Sequence, residues 1–172
     1  LNGTTNYILS KMEEGESYEQ TLKNAQELGY AEPDPSLDVN GTDAAHKIGI
    51  LSALAFNSSL PAHGFHIEGI EQISQSDFIF AREFGFVVKH LAVAKKTAHG
   101  VELRSHPTLL KSSSNLASLK GVRNGIQIDT DLLGEFHIAG SGAGQESTAS
   151  GIISDLISLS RTETSNSMNM PE

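Results

Sequence analysis

Cysteine is absent from the 172 residues, and long apolar runs are absent as well. Without cysteine the chain can have neither a disulfide framework nor thiolate chemistry, which fits a reducing compartment such as the cytoplasm. No apolar stretch approaches the ~20 residues that a membrane-spanning helix needs, and the N-terminus lacks the basic-then-apolar pattern of a secretion signal. We therefore expect a cytoplasmic protein that does not enter a membrane.

Basic residues are also few, with 12 Lys and Arg against 21 Asp and Glu, and the net charge is −9. This charge argues against nucleic acid or an anionic membrane as the main partner. The length is that of one ordinary domain, and 38% hydrophobic residues can form a core. The chain begins at Leu1, inside what reads as a structural element, so we expect it to be a piece of a longer protein.

Charge is concentrated in the segment 29–47, which reads GYAEPDPSLDVNGTDAAHK. Its two prolines restrict their own φ and the conformation of the residues before them, so a stiff, non-helical loop is predicted to about Asn40. Asn40, Thr42 or Asp43 can then cap the next helix. The charged residues of this segment are Glu32, Asp34, Asp38, Asp43 and Lys47.

A helix is predicted over residues 43–56, because apolar residues recur there at steps of three and four. Few polar side chains follow Lys47, so we expect this helix to be buried nearly all round. Asp43 and Lys47 stand four residues apart and hence on one face. A buried lysine with an acidic partner is a candidate catalytic group. The alternative is a solvated ion pair, worth about a few tenths of a kcal/mol, beside an ordinary turn.

The remaining pattern is one of helices, then strands, then a closing helix. Helices are predicted from Asn2 to about Gly15, from Ser17 to Gly29, over 76–84 and over 147–161, and strands over 65–73, 86–95, 100–110, 122–129 and 135–139. The predicted fold class is α+β, with helices packed on one face of a mixed, mostly antiparallel sheet. The other face of the sheet is a natural place for a second subunit, and 162–172 is predicted to be a polar tail.

A glycine-rich turn, residues 139–144, lies between a predicted strand and the last helix. Its small residues let the backbone approach a ligand, and the helix start offers backbone N–H groups. Such a turn more often reflects tight packing, and the dinucleotide-binding fingerprint with its acidic ribose partner is missing. The seven histidines show no metal-binding spacing, so no metal is predicted.

Several longer motifs occur together. They are NGTTNYIL at 2–9, GYAEPDP at 29–35, DVNGTDAAHK at 38–47, HPT at 106–108 and GSGAG at 140–144, followed by Thr148 and Ala149. In this order and spacing they resemble the homoserine dehydrogenase family, from residue 1 to about 161. The resemblance implies the catalytic and dimerisation domain, over 1–161, of an enzyme that interconverts aspartate 4-semialdehyde and L-homoserine with NADP or NAD. That reaction lies on the route to threonine and methionine.

The resemblance also implies roles for individual residues. The implied catalytic residues are Lys47, as proton donor, and Asp43; the implied substrate-binding residues are Thr4, Glu32, Asp38 and Asp43; the implied cofactor contact is Gly144. An acid one turn before Lys47 favours the charged form of its amine, which a proton donor needs. For Asp34 we expect a turn-forming role only.

The family also has an N-terminal nucleotide-binding domain and a monovalent-cation site, and neither is expected within this sequence. We therefore expect the dinucleotide to be held mainly outside this chain, and the isolated chain to be inactive. The last helix would then leave four apolar residues either partly uncovered or buried by a neighbour: Ile152, Ile153, Leu156 and Leu159. Two alternatives stay open: a non-catalytic module that dimerises through its sheet, and the substrate domain of another NAD(P)-dependent dehydrogenase.

Overall fold

The computed structural model describes residues 1–59, 65–142 and 144–161. In chain order the elements are α1 (Gly3–Glu13), α2 (Tyr18–Glu27), α3 (Ser36–Val39), α4 (Thr42–Phe56), β1 (His66–Ile67), α5 (Gln75–Glu83), β2 (Phe86–Thr97), β3 (Gly100–Lys111), a 3₁₀ turn (Leu116–Ser118), β4 (Arg123–Thr130), β5 (Gly134–Ser141) and α6 (Gln145–Arg161). Among these described helices, none is both long enough and apolar enough to cross a membrane. The predicted tail 162–172 lies outside the described residues.

The first two helices follow their sequence signals closely. Asn2 caps α1 by accepting a hydrogen bond from the backbone N–H of Thr5 at 2.8 Å, and Gly15 follows the helix with φ +106°. Ser17 caps α2 in the same way, through the backbone N–H of Gln20 at 3.2 Å. Both predicted helices are therefore confirmed. Sequence could predict them because a capping side chain and a terminal glycine act on backbone groups only a few residues away.

The predicted non-helical loop before Asn40 is wrong in one respect, because α3 forms there. The carbonyl of Pro35 accepts hydrogen bonds from the backbone N–H groups of Asp38, at 2.9 Å, and Val39, at 3.1 Å. Asp34 Oδ1 accepts one from the N–H of Ser36 at 3.1 Å. At the start of a helix the first backbone N–H groups have no partner within the helix, and proline has no N–H to leave unpaired. Pro35 is therefore compatible with the helix that follows it. The turn-forming role expected for Asp34 is confirmed.

The start of α4 is fixed against the sheet. Gly41 precedes the helix with φ +85°, a left-handed conformation that favours glycine. A Cβ atom added there would lie 3.0 Å from the carbonyl oxygen of Glu68 and 3.0 Å from His90 Nε2. Ser105 Oγ donates to the carbonyl of Gly41 at 3.1 Å. The first turn of α4 is thus positioned by β2 and β3.

The main sheet has the strand order β1-β3-β2. Strands β2 and β3 form a long antiparallel hairpin, with Phe86 opposite Lys111 and Thr97 opposite Gly100, while β1 runs parallel to β3. Helices α4 and α5 pack against this hairpin. The sheet is therefore mixed and mostly antiparallel, which confirms the predicted fold class. The core cluster consists of Ile8, Leu9, Met12, Val39, Ile70, Phe78, Ala81 and Val88.

The strand predicted over 65–73 is much shorter than expected, because only β1 forms. The chain turns at Gly69, where an added Cβ atom would lie 2.4 Å from the carbonyl oxygen of Val39. The backbone N–H of Ile70 donates to that same carbonyl at 2.8 Å, and the Ile70 side chain is fully buried. The apolar residues that alternate in this segment therefore pack against α3 and do not form a strand.

Strands β4 and β5 form a separate two-stranded hairpin, and α6 follows it. We call β4, β5 and α6 the arm, and the preceding helices and strands the body. Every residue of β5 is exposed, and none of the described side chains of α6 is buried. The predicted hairpin and closing helix are confirmed. Of the two outcomes expected for the apolar residues of α6, exposure is the one found, for Ile152, Ile153, Leu156 and Leu159.

Candidate active site

Three elements meet at the side chain of Asn2. Its amide Nδ2 donates to Asp38 Oδ1 at 2.7 Å and to Asp43 Oδ2 at 2.9 Å. Asn2 is only 7% exposed, and its Oδ1 is occupied with the cap of α1. One amide group therefore holds together α1, α3 and the first turn of α4. We call Asn2, Asp38, Asp43 and Lys47 the Asn2 cluster.

Lys47 completes the cluster one helical turn after Asp43. Its Nζ lies 2.6 Å from Asp43 Oδ2 and 3.4 Å from the carbonyl oxygen of Leu1. The predicted pairing of Asp43 with Lys47 is confirmed. Since Asp43 Oδ2 also accepts from Asn2, one carboxylate oxygen binds both an amide and an ammonium group. Such shared, charge-assisted bonds hold a side chain in one orientation.

The expected burial of Lys47 is wrong, since its side chain is 50% exposed. Helix α4 turns its small side chains inward, at Ala44, Ala45, Gly49 and Ser52. Its larger apolar residues face outward, with Ile50 54% and Leu54 69% exposed. Lys47 shares that outward face, because steps of three and four residues align side chains on a helix. The prediction that α4 is buried nearly all round is therefore wrong as well, because the described body leaves its outward face uncovered.

Asp38 is held from both its side chain and its backbone. Thr5 Oγ1 donates to the Asp38 carbonyl at 3.0 Å, and Asn2 binds the carboxylate. Both partners come from the NGTTNYIL motif, so α1 and α3 are tied together at this point. The structure brings Asp38, Asp43 and Lys47 together, as the sequence predicted for a common site.

Thr4 lies in α1 and Glu32 in the loop between α2 and α3, and among the described residues no hydrogen bond or ion pair joins the side chain of either one to the Asn2 cluster. Thr4 is buried, and its Oγ1 donates to the carbonyl of Tyr30 at 2.5 Å. Gln26 Nε2 donates to the carbonyls of Glu32 and Pro33, both at 3.2 Å. The loop is therefore fixed by its backbone, and the exposed Glu32 carboxylate has no hydrogen-bond partner among the described residues.

Gly144 lies after β5, near the open end of the arm's hairpin, where Arg123 pairs with Ser141. Its φ is +104°, and no atom lies within 4 Å of the position that a Cβ would take. Its carbonyl accepts from Thr148 N at 3.1 Å and from Thr148 Oγ1 at 3.0 Å. Within 1–59, 65–142 and 144–161 no hydrogen bond or ion pair joins Gly144 to the Asn2 cluster. Ala143 of the predicted turn lies outside the described residues.

Sequence reasoning missed two polar groups. Neither the bridging role of Asn2 nor the burial of Lys89, a lysine inside the apolar strand β2, was predicted. Lys89 is 6% exposed, and its Nζ donates to Asn6 Oδ1 at 2.9 Å and to the carbonyl of Leu119. Burial, and secondarily the charge of Lys120, lower the pKa of Lys89 to about 8. The signal that could have found it is a lysine in the apolar first half of β2, since the other two lysines of the strand, Lys95 and Lys96, lie near its end.

The Asn2 cluster offers two carboxylates and one ammonium group on adjoining elements. Carboxylates can bind a substrate's ammonium group, and an ammonium group can donate a proton to an oxygen that gains negative charge. Within the described part of the chain, no three His, Asp or Glu side chains are grouped so that they could hold a metal ion. The chemistry available here is therefore that of charge recognition and proton transfer.

Comparisons with known proteins agree on one family. The family model described as "Homoserine dehydrogenase" matches residues 1–157. The chain is 45% identical over 162 residues to the homoserine dehydrogenase of Neisseria gonorrhoeae, covering 94% of this chain and 37% of that protein. It is 46% identical to that of Helicobacter pylori, covering 96% of this chain and 39% of that protein. The chain thus spans less than half the length of these curated relatives.

Solved structures give the same result. A homoserine dehydrogenase from Thiobacillus denitrificans superimposes with a TM-score of 0.87 at 42% identity, covering 93% of this chain and 37% of that one. A hyperthermophilic archaeal homoserine dehydrogenase in complex with NADPH matches with a TM-score of 0.73 at 31% identity, covering 96% of this chain and 47% of that one. The shared fold extends over both the body and most of the arm.

Proposed function

This chain belongs to the homoserine dehydrogenase family, and we propose that it supplies the substrate-binding and catalytic part of an enzyme that interconverts aspartate 4-semialdehyde and L-homoserine. The observation that carries the proposal is the Asn2 cluster, in which Lys47 Nζ lies 2.6 Å from Asp43 Oδ2. The domain would extend over residues 1–161, and the cytoplasm, which the absence of cysteine favours, would be its location.

Lys47 is the proton donor in this proposal. In the direction of reduction the aldehyde carbon gains hydride, and its oxygen gains negative charge and takes a proton from the Lys47 ammonium group. Asp43 holds the Lys47 ammonium group in position before this step, through the 2.6 Å contact between Nζ and Oδ2. The lysine is left neutral and regains a proton from water, which its half-exposed position allows. In the oxidation of homoserine the same proton moves back from the hydroxyl group to Lys47.

The acids of the segment 29–47 bind the substrate's charged end. Glu32 is exposed and its carboxylate has no hydrogen-bond partner in the described ranges, so it is free to bind the ammonium group of homoserine. Asp38 and Asp43 each have one oxygen bonded to Asn2 and keep lone pairs for the substrate, since an ionised carboxylate accepts up to about four hydrogen bonds. Thr4 contributes through its contact with Tyr30, which sets the position of the loop.

NADP or NAD would supply and accept the hydride when bound. The turn at Gly144 fits a place beside such a group, because its glycine backbone leaves open space where a side chain would stand. The outward face of α4, with Ile50 and Leu54 beside Lys47, fits a surface that is covered during reaction. Excluding water there would strengthen the electrostatic interactions of the ammonium group.

A homodimer through the sheet is also part of the proposal. Val88 packs in the core, and side chains alternate between the two faces of a strand. Leu91 and Val93 therefore lie on the opposite face of β2, where both are only half-buried. A second copy would cover this apolar face, and analytical ultracentrifugation of the full-length protein tests it.

The deciding experiment is Lys47→Ala in the full-length protein, with homoserine and either dinucleotide. We expect kcat to fall by at least ~100-fold, the scale of lost general-acid catalysis. Lys23→Ala is the matched control, because Lys23 also pairs with an acid four residues away on an exposed helix. The control should leave kcat unchanged, and a loss of less than about threefold for Lys47→Ala would remove Lys47 from the mechanism.

The same assay separates the two alternatives. Turnover of a different hydroxy amino acid, with none of homoserine, would favour another NAD(P)-dependent dehydrogenase. Absence of turnover, together with no thermal stabilisation of the intact protein by homoserine, would favour a module that only dimerises.

A further inference from the structure

A second polar group is buried between the body and the arm, away from the Asn2 cluster. Lys89 lies on β2, opposite Thr108 of β3, and its ammonium group donates to Asn6 Oδ1 and to the carbonyl of Leu119. Asn6 belongs to α1, four residues and hence about one turn after Asn2. The proposed mechanism gives Lys89 no role, although a lysine at 6% exposure is costly unless its donors are satisfied.

The other end of the Asn6 amide binds the backbone at the start of the arm. Its Nδ2 lies 3.2 Å from the carbonyl of Leu119, 2.9 Å from that of Gly121 and 3.0 Å from that of Arg123. These three acceptors form the segment that enters β4. One side chain of α1 therefore fixes the path of the backbone into the arm.

The contact continues across the hairpin to the glycine turn. Arg123 pairs with Ser141 at the open end of the hairpin, and Ser141 immediately precedes the turn that ends at Gly144. The next residue of β4, Asn124, packs so closely on Gly142 that an added Cβ atom would lie 2.0 Å from Asn124 Nδ2. The chain of contacts thus runs from Lys89 through Asn6 and Arg123 to the turn.

We propose that Lys89 is a positioning residue, which orients the Asn6 amide and so fixes the spacing between the substrate end of α1 and Gly142, at the start of the glycine-rich turn. The proposal rests on the proposed function, in which α1 faces the substrate and the turn faces the dinucleotide. Reacting groups held on two elements react efficiently only at a defined separation, and a displacement of ~1 Å can cost ~100-fold in rate.

The chemistry of the side chains explains why a lysine suits this position. An ammonium group has three donors and no acceptor, so its partner on Asn6 must be Oδ1. With Oδ1 so occupied, Nδ2 is directed towards the three carbonyls. A methionine at position 89 would keep the length and the apolar stem, but nothing would then fix which end of the Asn6 amide faces the carbonyls. Oδ1 and the Leu119 carbonyl would also lose a donor, which is costly for buried groups.

The test compares Lys89→Met with Lys95→Met in the full-length protein. Lys95 lies on the same face of β2 but is exposed, so it is a matched control. For Lys89→Met we expect amide hydrogen exchange over 138–144 to accelerate at least tenfold. We also expect kcat for homoserine oxidation to fall about 10- to 100-fold, with less than a threefold change in KM for homoserine, because Glu32 is untouched. Lys95→Met should change neither, and Lys89→Arg should restore part of kcat.

Two further results keep the test decisive. Asn6→Asp retains an acceptor for Lys89 but loses the donors to the carbonyls, and it should reproduce the faster exchange even where Lys89→Met fails to fold. Unchanged exchange over 138–144 in both variants overturns the proposal, whether or not the protein oxidises homoserine. Faster exchange with unchanged kcat also overturns it, since Lys89 would then be merely structural. A wild-type protein inactive on homoserine would instead refute the proposed function, and exchange alone would decide the coupling.

Discussion

The body and the arm differ in what stabilises them. Every member of the core cluster, from Ile8 to Val88, belongs to the body. The arm has regular hydrogen-bonded structure as well, yet all of β5 and all described side chains of α6 avoid burial. Both regions have apolar residues at the spacing of their elements. Hydrophobic periodicity therefore specifies whether a segment forms a helix or a strand. The packing that stabilises that element must come from another surface against which its apolar side is buried.

The largest expected effect tests whether the core lies in the body alone. Ile8→Ala should lower the free energy of unfolding of the 172-residue chain by about 2–5 kcal/mol, the cost of a cavity in a core, because Ile8 is fully buried. Ile153→Ala, the same substitution on the exposed α6, should cost less than about 0.5 kcal/mol. Urea unfolding measures both. A similar loss for both variants would show that the arm packs against the body.

The second prediction concerns Lys89, at the border between the two regions. Burial lowers its pKa from 10.5 to about 8 in the folded state. Between about pH 8 and 10.5 the unfolded chain therefore binds more protons than the folded one, and stability rises with pH. Relative to Lys89→Met, the wild-type chain should gain up to about 3 kcal/mol across this range, since one pKa unit corresponds to about 1.4 kcal/mol. Below pH 8 the difference between the two should stay constant.

Urea unfolding of both chains at several pH values gives that difference, and the titration of all other groups cancels in it. A difference that does not change between pH 8 and 10.5 would mean that Lys89 is not desolvated.

The smallest of these effects compares glycines that have the same backbone conformation in the two regions. Gly41 in the body and Gly134 in the arm have φ of +85° and +74°. Alanine should cost about 1 kcal/mol at either position through backbone strain. At Gly41 its Cβ would also contact His90 and the Glu68 carbonyl at 3.0 Å, whereas at Gly134 nothing lies within 4 Å. Thermal unfolding should therefore show a larger loss for Gly41→Ala, and equal losses would contradict the close packing of α4 on the sheet.

The elements that sequence predicted well depend on near neighbours. The caps of α1 and α2 involve residues three apart, and the β2–β3 hairpin follows from alternation and a turn at Gly100. The helix after Pro35 departs from the predicted loop, because two prolines indicate a loop and yet proline is also compatible with a helix start. The strand over 65–73 was overestimated because packing at Gly69 against α3 is a contact between distant residues.

Of the predicted site residues the structure brings three together, and the connections between them were not predicted. The family motifs pointed to Asp38, Asp43 and Lys47, and the four-residue spacing predicted their ion pair correctly. The bridge through Asn2 spans 36 and 41 residues, and no local pattern encodes it. The exposure of Lys47 was also unpredictable, because an apolar helix face does not say which polypeptide covers it.

Asn2 is subject to two separate demands, and evolution has few ways to satisfy both. Aspartate or serine would serve equally well as a helix cap, but aspartate would set a third negative charge beside Asp38 and Asp43. Serine has a single hydrogen-bond donor, whereas the carboxylates of Asp38 and Asp43 both need one. Only a side chain with one acceptor and two donors at this reach meets every partner, so a library screened for stability and another screened for turnover should converge on the same amino acid at position 2.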